Sequence, residues 1–115
     1  MIPFSFRFHG HNSLRYVYGN GKTVRNQQLT VKSVENTRRK SPRFSVVVSK
    51  KVMKSAVGRN RIRRRIYEYI RNNLERVDKV YDVVVICTAS ELRTLPSKEL
   101  SSQLDQIFTK AGIYK

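Results

Sequence analysis

The chain predicts a small α+β sandwich, and three observations carry that reading. The stretch from Lys50 to Arg71 runs into an apolar repeat of helical spacing, Ile62, Ile66, Ile70 and Leu74, with Tyr69 beside it. Residues 81–87, Tyr-Asp-Val-Val-Val-Ile-Cys, are apolar almost throughout, as suits a strand covered on both faces. Two further stretches, Gln28–Val34 and Arg43–Val48, alternate apolar and polar residues as half-buried strands do. At 115 residues the chain is long enough to bury one core, so residues 1–115 form a single domain.

Taken in order, Phe4, Phe6 and Phe8 alternate with Ser5 and Arg7 in an extended segment whose rings cap the core. Asn12 or Ser13 offers an N-cap to a short helix carrying Leu14, Val17 and Tyr18 at i, i+3, i+4, which Gly19-Asn20-Gly21 stops. A stub of strand falls at Thr23–Val24. In Gln28–Val34, Leu29 and Val31 take one side and Gln28, Thr30 and Lys32 the other. The basic loop from Glu35 to Pro42 has a length that suits an antiparallel hairpin to Arg43–Val48, where Phe44, Val46 and Val48 share a face. The basic helix follows and ends between Leu74 and Val77. Beyond the apolar strand, Thr88–Leu95 is a loop and Pro96 stands at the first turn of a last helix. Leu100, Leu104, Ile107, Phe108 and Ala111 give that helix its apolar stripe, and Gly112 ends it. The two longer helices cover one side of the sheet, and the short first helix lies near its edge or open face.

The charge is one-sided. There are 24 Lys and Arg against 8 Asp and Glu, a formal net charge of +16. Half of it lies between Lys50 and Arg71, where nine cations face one acid, Glu68. On the helix, Asn60, Arg61, Arg64, Glu68 and Arg71 point away from the apolar stripe, while Arg59 and Arg63 lie along its margin. Cations near a helix N-terminus oppose its dipole at roughly 0.3–1 kcal/mol each. The like-charge pairs Arg59/Arg63 and Arg61/Arg65 cost about 0.2–0.5 kcal/mol apiece. A helix that had only to be soluble would mix its signs. This one is shaped to lie against a polyanion, nucleic acid before membrane or acidic substrate.

Other classes are poorly served. No apolar run approaches the roughly 20 residues of a membrane span. The first residues lack a charged leader and apolar core, so a cytoplasmic protein is expected. The single Cys87 makes neither an internal disulfide nor a cysteine cluster for zinc; it reads as a core residue in a reducing compartment. The eight acids show no spacing for paired acid–base work or a carboxylate metal site. His9-Gly-His11 reads as a solvated loop. No nucleophile, P-loop or dinucleotide motif is present. The expectation is an RNA- or DNA-binding module with no catalytic or metal-ligating residue of its own.

Ser49-Lys50-Lys51 followed by Arg59-Asn60-Arg61-Ile62-Arg63-Arg64 resembles the RNR motif of the bacterial ribonuclease P protein subunit. The flanks match as well. Arg7-Phe8 is similar to that family's start, Leu14 to Gly21 to its first helix and glycine, Asn26 to Leu29 to its first long strand, and Phe44 to Lys51 to the strand leading into the basic helix. The resemblance implies the family's α–β sandwich, also seen in a ribosomal-protein domain, with an unusual left-handed strand–helix–strand crossover around the basic helix. It implies assembly with the catalytic RNA of ribonuclease P and removal of the 5′ leader from precursor tRNA. The chemistry and its Mg2+ are then held mainly by the RNA, and no protein partner is required. It places Lys51, Arg59, Asn60, Arg61, Arg63 and Arg64 against the RNA subunit. It places Phe8, Leu14, Tyr18 and Lys32 in a cleft for the single-stranded leader, with Arg15 and Arg43 as secondary candidates. Departures occur at Leu14 and Lys32, where relatives carry aromatics, at Tyr67, where they often carry Arg, and at Thr88-Ala89, where a basic residue is missing.

Two other functions compete. A structural RNA-binding protein of similar fold needs only the basic helix, whereas a ribonuclease P subunit needs a separate aromatic and basic cleft too. A DNA-binding or nuclease domain lacks support, having neither the carboxylates nor a helix-turn-helix pattern.

Overall fold

A strand with no polar face belongs in the middle of a sheet, and that placement organises the molecule. The computed structural model describes residues 11–37, 41–77 and 79–114, and side chains from Arg15 onward. Phe4, Phe6, Phe8, His9 and the side chains of His11 and Leu14 lie outside the described parts. The elements are α1 (His11–Asn20), β1 (Lys22–Arg25), β2 (Leu29–Glu35), β3 (Arg43–Val48), α2 (Ala56–Asn72), β4 (Tyr81–Cys87) and α3 (Ser97–Lys110). The strand order is β1-β2-β4-β3. β4 is antiparallel to β2, from Leu29 opposite Cys87 to Glu35 opposite Tyr81. It is parallel to β3, from Arg43 opposite Asp82 to Val48 opposite Cys87, with α2 in the crossover.

The hairpin expected between β2 and β3 therefore does not form, because β4 lies between them. Alternation in β2 and β3 tells each strand which face to bury but not which neighbour to take. β4 is buried on both faces: Val83, Val85 and Cys87 join the main core, while Val84 packs with Val17 of α1. The hairpin that does form joins β2 to β1, which is longer than the expected stub. Asn26 builds its turn. The Asn26 Oδ1 accepts the N–H groups of Gln28 and Leu29 at 2.8 and 2.7 Å.

The helices cover the two sides unequally, as expected. Ile62, Ile66 and Ile70 of α2 and Leu100, Leu104, Ile107 and Phe108 of α3 pack into the main core with Leu29, Val31, Phe44 and Val46. α1 lies on the other face, where buried Val17 meets Val84, with Val34, Val47 and Ile86 around them. Gly21 permits this approach: a Cβ there would lie 2.6 Å from the Val17 carbonyl and 3.0 Å from that of Ser33.

Boundaries differ from expectation in four places. α1 already includes His11, ahead of the proposed caps Asn12 and Ser13. α2 ends at Asn72, before Leu74, because the Asn73 side chain donates to the Tyr69 carbonyl; a 3-10 turn, Leu74–Arg76, follows. The segment after β4 contains a second such turn, Ser90–Arg93, anchored by buried Leu92. Pro96 precedes the first helical residue of α3 instead of lying within it. Gly112 does end α3: with φ +76° it donates to the Thr109 carbonyl, and Ile113 donates to that of Phe108.

Two polar networks tie the layers together. The Tyr69 hydroxyl bonds to Asp105 and Tyr114, and Arg76 donates to Asp105 at 2.8 Å. Burial pushes the Tyr114 hydroxyl up to about 12. On the α1 side, Arg43 grips Asp82 with two bonds of 2.9 and 2.8 Å, and the Asn36 amide donates to the same carboxylate at 2.8 Å. Both partners are nearly buried, at 13% and 6% side-chain exposure. Asp82→Ala leaves Arg43 without this counter-charge and is expected to cost about 3–5 kcal/mol. A urea-unfolding midpoint unchanged from the wild type would refute that assignment.

Candidate nucleic-acid interface

The basic face is built from a turn and a helix. Ser49 closes the turn: its carbonyl accepts the N–H groups of Val52 and Met53 at 3.2 and 3.1 Å, which leaves Lys50 and Lys51 exposed. Ser55 then caps α2, its hydroxyl accepting the Gly58 N–H at 3.1 Å. Asn60, Arg61 and Arg64 are exposed along the helix, while Arg59 and Arg63 are half-buried at its margin. Among the described residues no acid forms an ion pair with Lys50, Lys51, Lys54, Arg59, Arg61, Arg63 or Arg64. The carboxylates that do pair serve Arg43, Arg71 and Arg76. The helix therefore carries an uncompensated positive strip.

The six residues expected to meet RNA come together on this face but do different things. Arg59 donates from one nitrogen to the carbonyls of Met53 and Lys54, at 3.0 and 2.8 Å, and so braces the lysine turn. Arg63 donates to the Asn60 side chain. Arg61 donates through Nε to the Arg93 carbonyl at 3.2 Å. Arg64 and Lys51 make no hydrogen bond or ion pair among the described residues, which leaves both free to meet a phosphate. Arg65, outside the expected set, is a structural clamp: it donates to the Leu92 carbonyl at 2.6 Å and to that of Leu95. Burial, then the neighbouring Arg61, lowers its pKa. Tyr67 is buried and its hydroxyl accepts the N–H of Val46 on the edge strand β3.

The second surface lies across the sheet, where α1 meets the face of β2 that carries Thr30, Lys32 and Val34. Tyr18 is 41% exposed, and the Lys32 ammonium sits 5.5 Å from its ring centroid. Phe8 and the side chain of Leu14 lie outside the described residues. Arg15 is exposed, but Arg43 is held by Asp82. Arg25 was missed by the sequence reading. Val24 packs toward the main core, so the pleat turns Thr23 and Arg25 to the α1 side, and the register puts Thr23 opposite Lys32 and Arg25 opposite Thr30. Parity around Val24 was the available signal.

Among the described residues no three His, Cys, Asp or Glu side chains gather. Burial pushes the Cys87 thiol up to about 12, which keeps it protonated and unreactive. Nor, among those residues, is any helix long and apolar enough to cross a membrane.

A cationic helix on one side of a four-stranded sheet, and an exposed tyrosine beside a lysine on the other, are the marks of a nucleic-acid-binding protein of α+β fold. The family model for Ribonuclease P matches residues 3–112. A Clostridium botulinum protein named Ribonuclease P protein component is 40% identical over 105 residues, covering 90% of this chain and 92% of its own length. One of the same name from Synechocystis is 30% identical over 112 residues, covering 97% and 90%. The RNase P protein of Staphylococcus aureus superposes with a TM-score of 0.85 over 96% of this chain and 98% of its own, at 24% identity. That of Thermotoga maritima gives 0.76 over 84% and 89%, at 23% identity, and both establish likeness of fold. The chain belongs to the ribonuclease P protein family, and so is a subunit of an RNA-processing enzyme whose partner is ribonuclease P RNA.

The division between clamps and free cations is measurable. Arg65→Ala removes two charged hydrogen bonds to buried-side carbonyls and is expected to destabilise the fold by about 1.5–3 kcal/mol. Arg64→Ala changes stability by less than about 0.5 kcal/mol. Equal thermal midpoints for the two variants would show that Arg65 is not a clamp.

Proposed function

We propose that the outer face of α2, with the lysine turn before it, docks onto ribonuclease P RNA, and that the α1 cleft receives the 5′ leader of precursor tRNA. The protein thereby supports endonucleolytic removal of the leader, while the RNA performs the reaction. The observation that carries this reading is the pairing of two separate cationic surfaces on opposite sides of one sheet. A purely structural RNA-binding protein has use for one.

On the α2 face, Arg61, Arg64 and Lys51 present donors to phosphate oxygens. Arginine's planar fork suits that geometry, and Asn60 adds a neutral donor and acceptor. Arg59 and Arg63 contribute field and bracing. In the cleft, the Tyr18 ring offers a surface on which a base of any identity can stack, and Lys32 and Arg25 attract the strand's backbone. Phe8 and Leu14 belong to the same proposed surface.

Magnesium fits the RNA side of this assembly. The protein's paired carboxylates are engaged by arginine: Asp82 by Arg43, Glu68 by Arg71 and Asp105 by Arg76. So engaged, these three do not form a protein-held Mg2+ site.

The test is cleavage of precursor tRNA by a bacterial ribonuclease P RNA at low magnesium, with and without the protein. Cleavage at the mature 5′ end that depends on the protein, and is absent with protein alone, is expected. If stimulation is missing and the RNA is bound no better than an unrelated structured RNA, the structural RNA-binding role replaces this one. Within the active complex, Tyr18→Ala with Lys32→Ala is expected to weaken leader-bearing precursor more than mature tRNA. An equal loss for both would remove the cleft assignment.

A further inference from the structure

The turn after β4 adds a cation to the basic face that no motif contains. Leu92 buries completely and pins the Ser90–Arg93 turn to the core. Arg65 holds the carbonyls of Leu92 and Leu95, Arg61 holds that of Arg93 at 3.2 Å, and the Gln28 amide donates to Glu91 at 3.1 Å. So held, the Arg93 side chain lies across the first turn of α2. Its Nη1 is 3.3 Å from the position a Cβ on Gly58 would occupy. Any side chain at that position would crowd both Arg93 and Met53, whose Sδ would be 2.7 Å away.

The placement works against stability. Arg93 lies beside Arg61, near the positive end of the helix dipole, and makes no side-chain hydrogen bond or ion pair among the described residues. An arginine kept for packing normally donates to carbonyls, as Arg59 and Arg65 do here. Arg93 does not: it is half-buried beside Gly58 and its guanidinium has no acceptor among the described residues.

We propose that Arg93 is a further RNA-contacting residue, a ligand for the phosphodiester backbone of the RNA docked on α2. Arg61 and Arg65 act as positioning residues that deliver the turn, and Gly58 leaves the room. The proposal rests on the docking of α2 described above and extends that face from the helix onto the segment after the central strand.

The test measures the affinity of the full chain for ribonuclease P RNA across a series of monovalent salt concentrations. Wild type, Arg93→Ala, Arg93→Lys and Arg64→Ala are compared, each with a thermal melt. Arg93→Ala is expected to bind about 10-fold more weakly at low salt and to lose about 0.7–0.9 from the log–log salt slope. Its melting midpoint should be unchanged, and Arg93→Lys should retain the slope. A wild-type slope and affinity in Arg93→Ala, while Arg64→Ala loses both, would overturn the proposal and leave α2 docking intact. A lowered midpoint with an unchanged slope would overturn it too, by making Arg93 a packing residue. Failure of the wild type to prefer this RNA would remove the docking reading and this inference together.

Discussion

The basic helix holds its shape against its own charge only because Ile62, Ile66 and Ile70 are locked into the core. Burying each isoleucine is worth roughly 1.5–3 kcal/mol. The opposing terms are smaller: about 0.2–0.5 kcal/mol for each like-charge pair at i, i+4 and about 0.3–1 kcal/mol for each cation in the first turn. Burial wins, so the helix forms before any RNA neutralises it. The electrostatic cost remains in the free protein, where a docked polyanion would relieve it. The face is therefore pre-formed as well as attractive, and little ordering entropy is left to lose on binding.

Arginine serves two ends on this helix, and side-chain direction separates them. Arg59 and Arg65 lie at the edges of the apolar stripe, where backbone carbonyls of flanking segments are within reach. Arg64 lies near the middle of the solvent side, where no carbonyl comes close. Arg61 is intermediate: its Nε is engaged and its terminal nitrogens remain for a partner. The same residue type thus fastens the lysine turn and the post-β4 turn to the helix and also supplies the surface proposed to meet RNA. Removing a clamp would blur the interface through shape, whereas removing a free cation would change charge alone.

The α1 side of the sheet is organised by a different constraint, the close approach of α1 to β2 at Gly21. With no Cβ at that position, the end of α1 sits on the Ser33 backbone, Val17 seals against Val84, and Tyr18 is left beside Lys32. Arg43, at the far end of the same face, is withdrawn by Asp82. That ion pair joins β3 to β4 and secures that end of the sheet. A cation that looked available in the sequence is in fact part of the frame.

By itself the sequence determined the element types, the two-layer α+β class, the basic helix with its apolar stripe and the family motif, because each is written in local spacing or composition. Period 3.6 marked α2 and α3, period 2 marked β2 and β3, and near-continuous apolarity marked β4. The tertiary structure decided what spacing cannot encode. It put β4 between β2 and β3 instead of a hairpin, since burial on two faces is a property of the whole sheet. It tied Arg43 to Asp82, 39 residues away, and turned Arg65 and Tyr67 inward onto backbone groups of distant segments. It brought Arg25 to the α1 side of the sheet through strand pairing and Arg93 to the basic face through a turn. Those placements depend on partners far along the chain, and only the packed core brings such partners together.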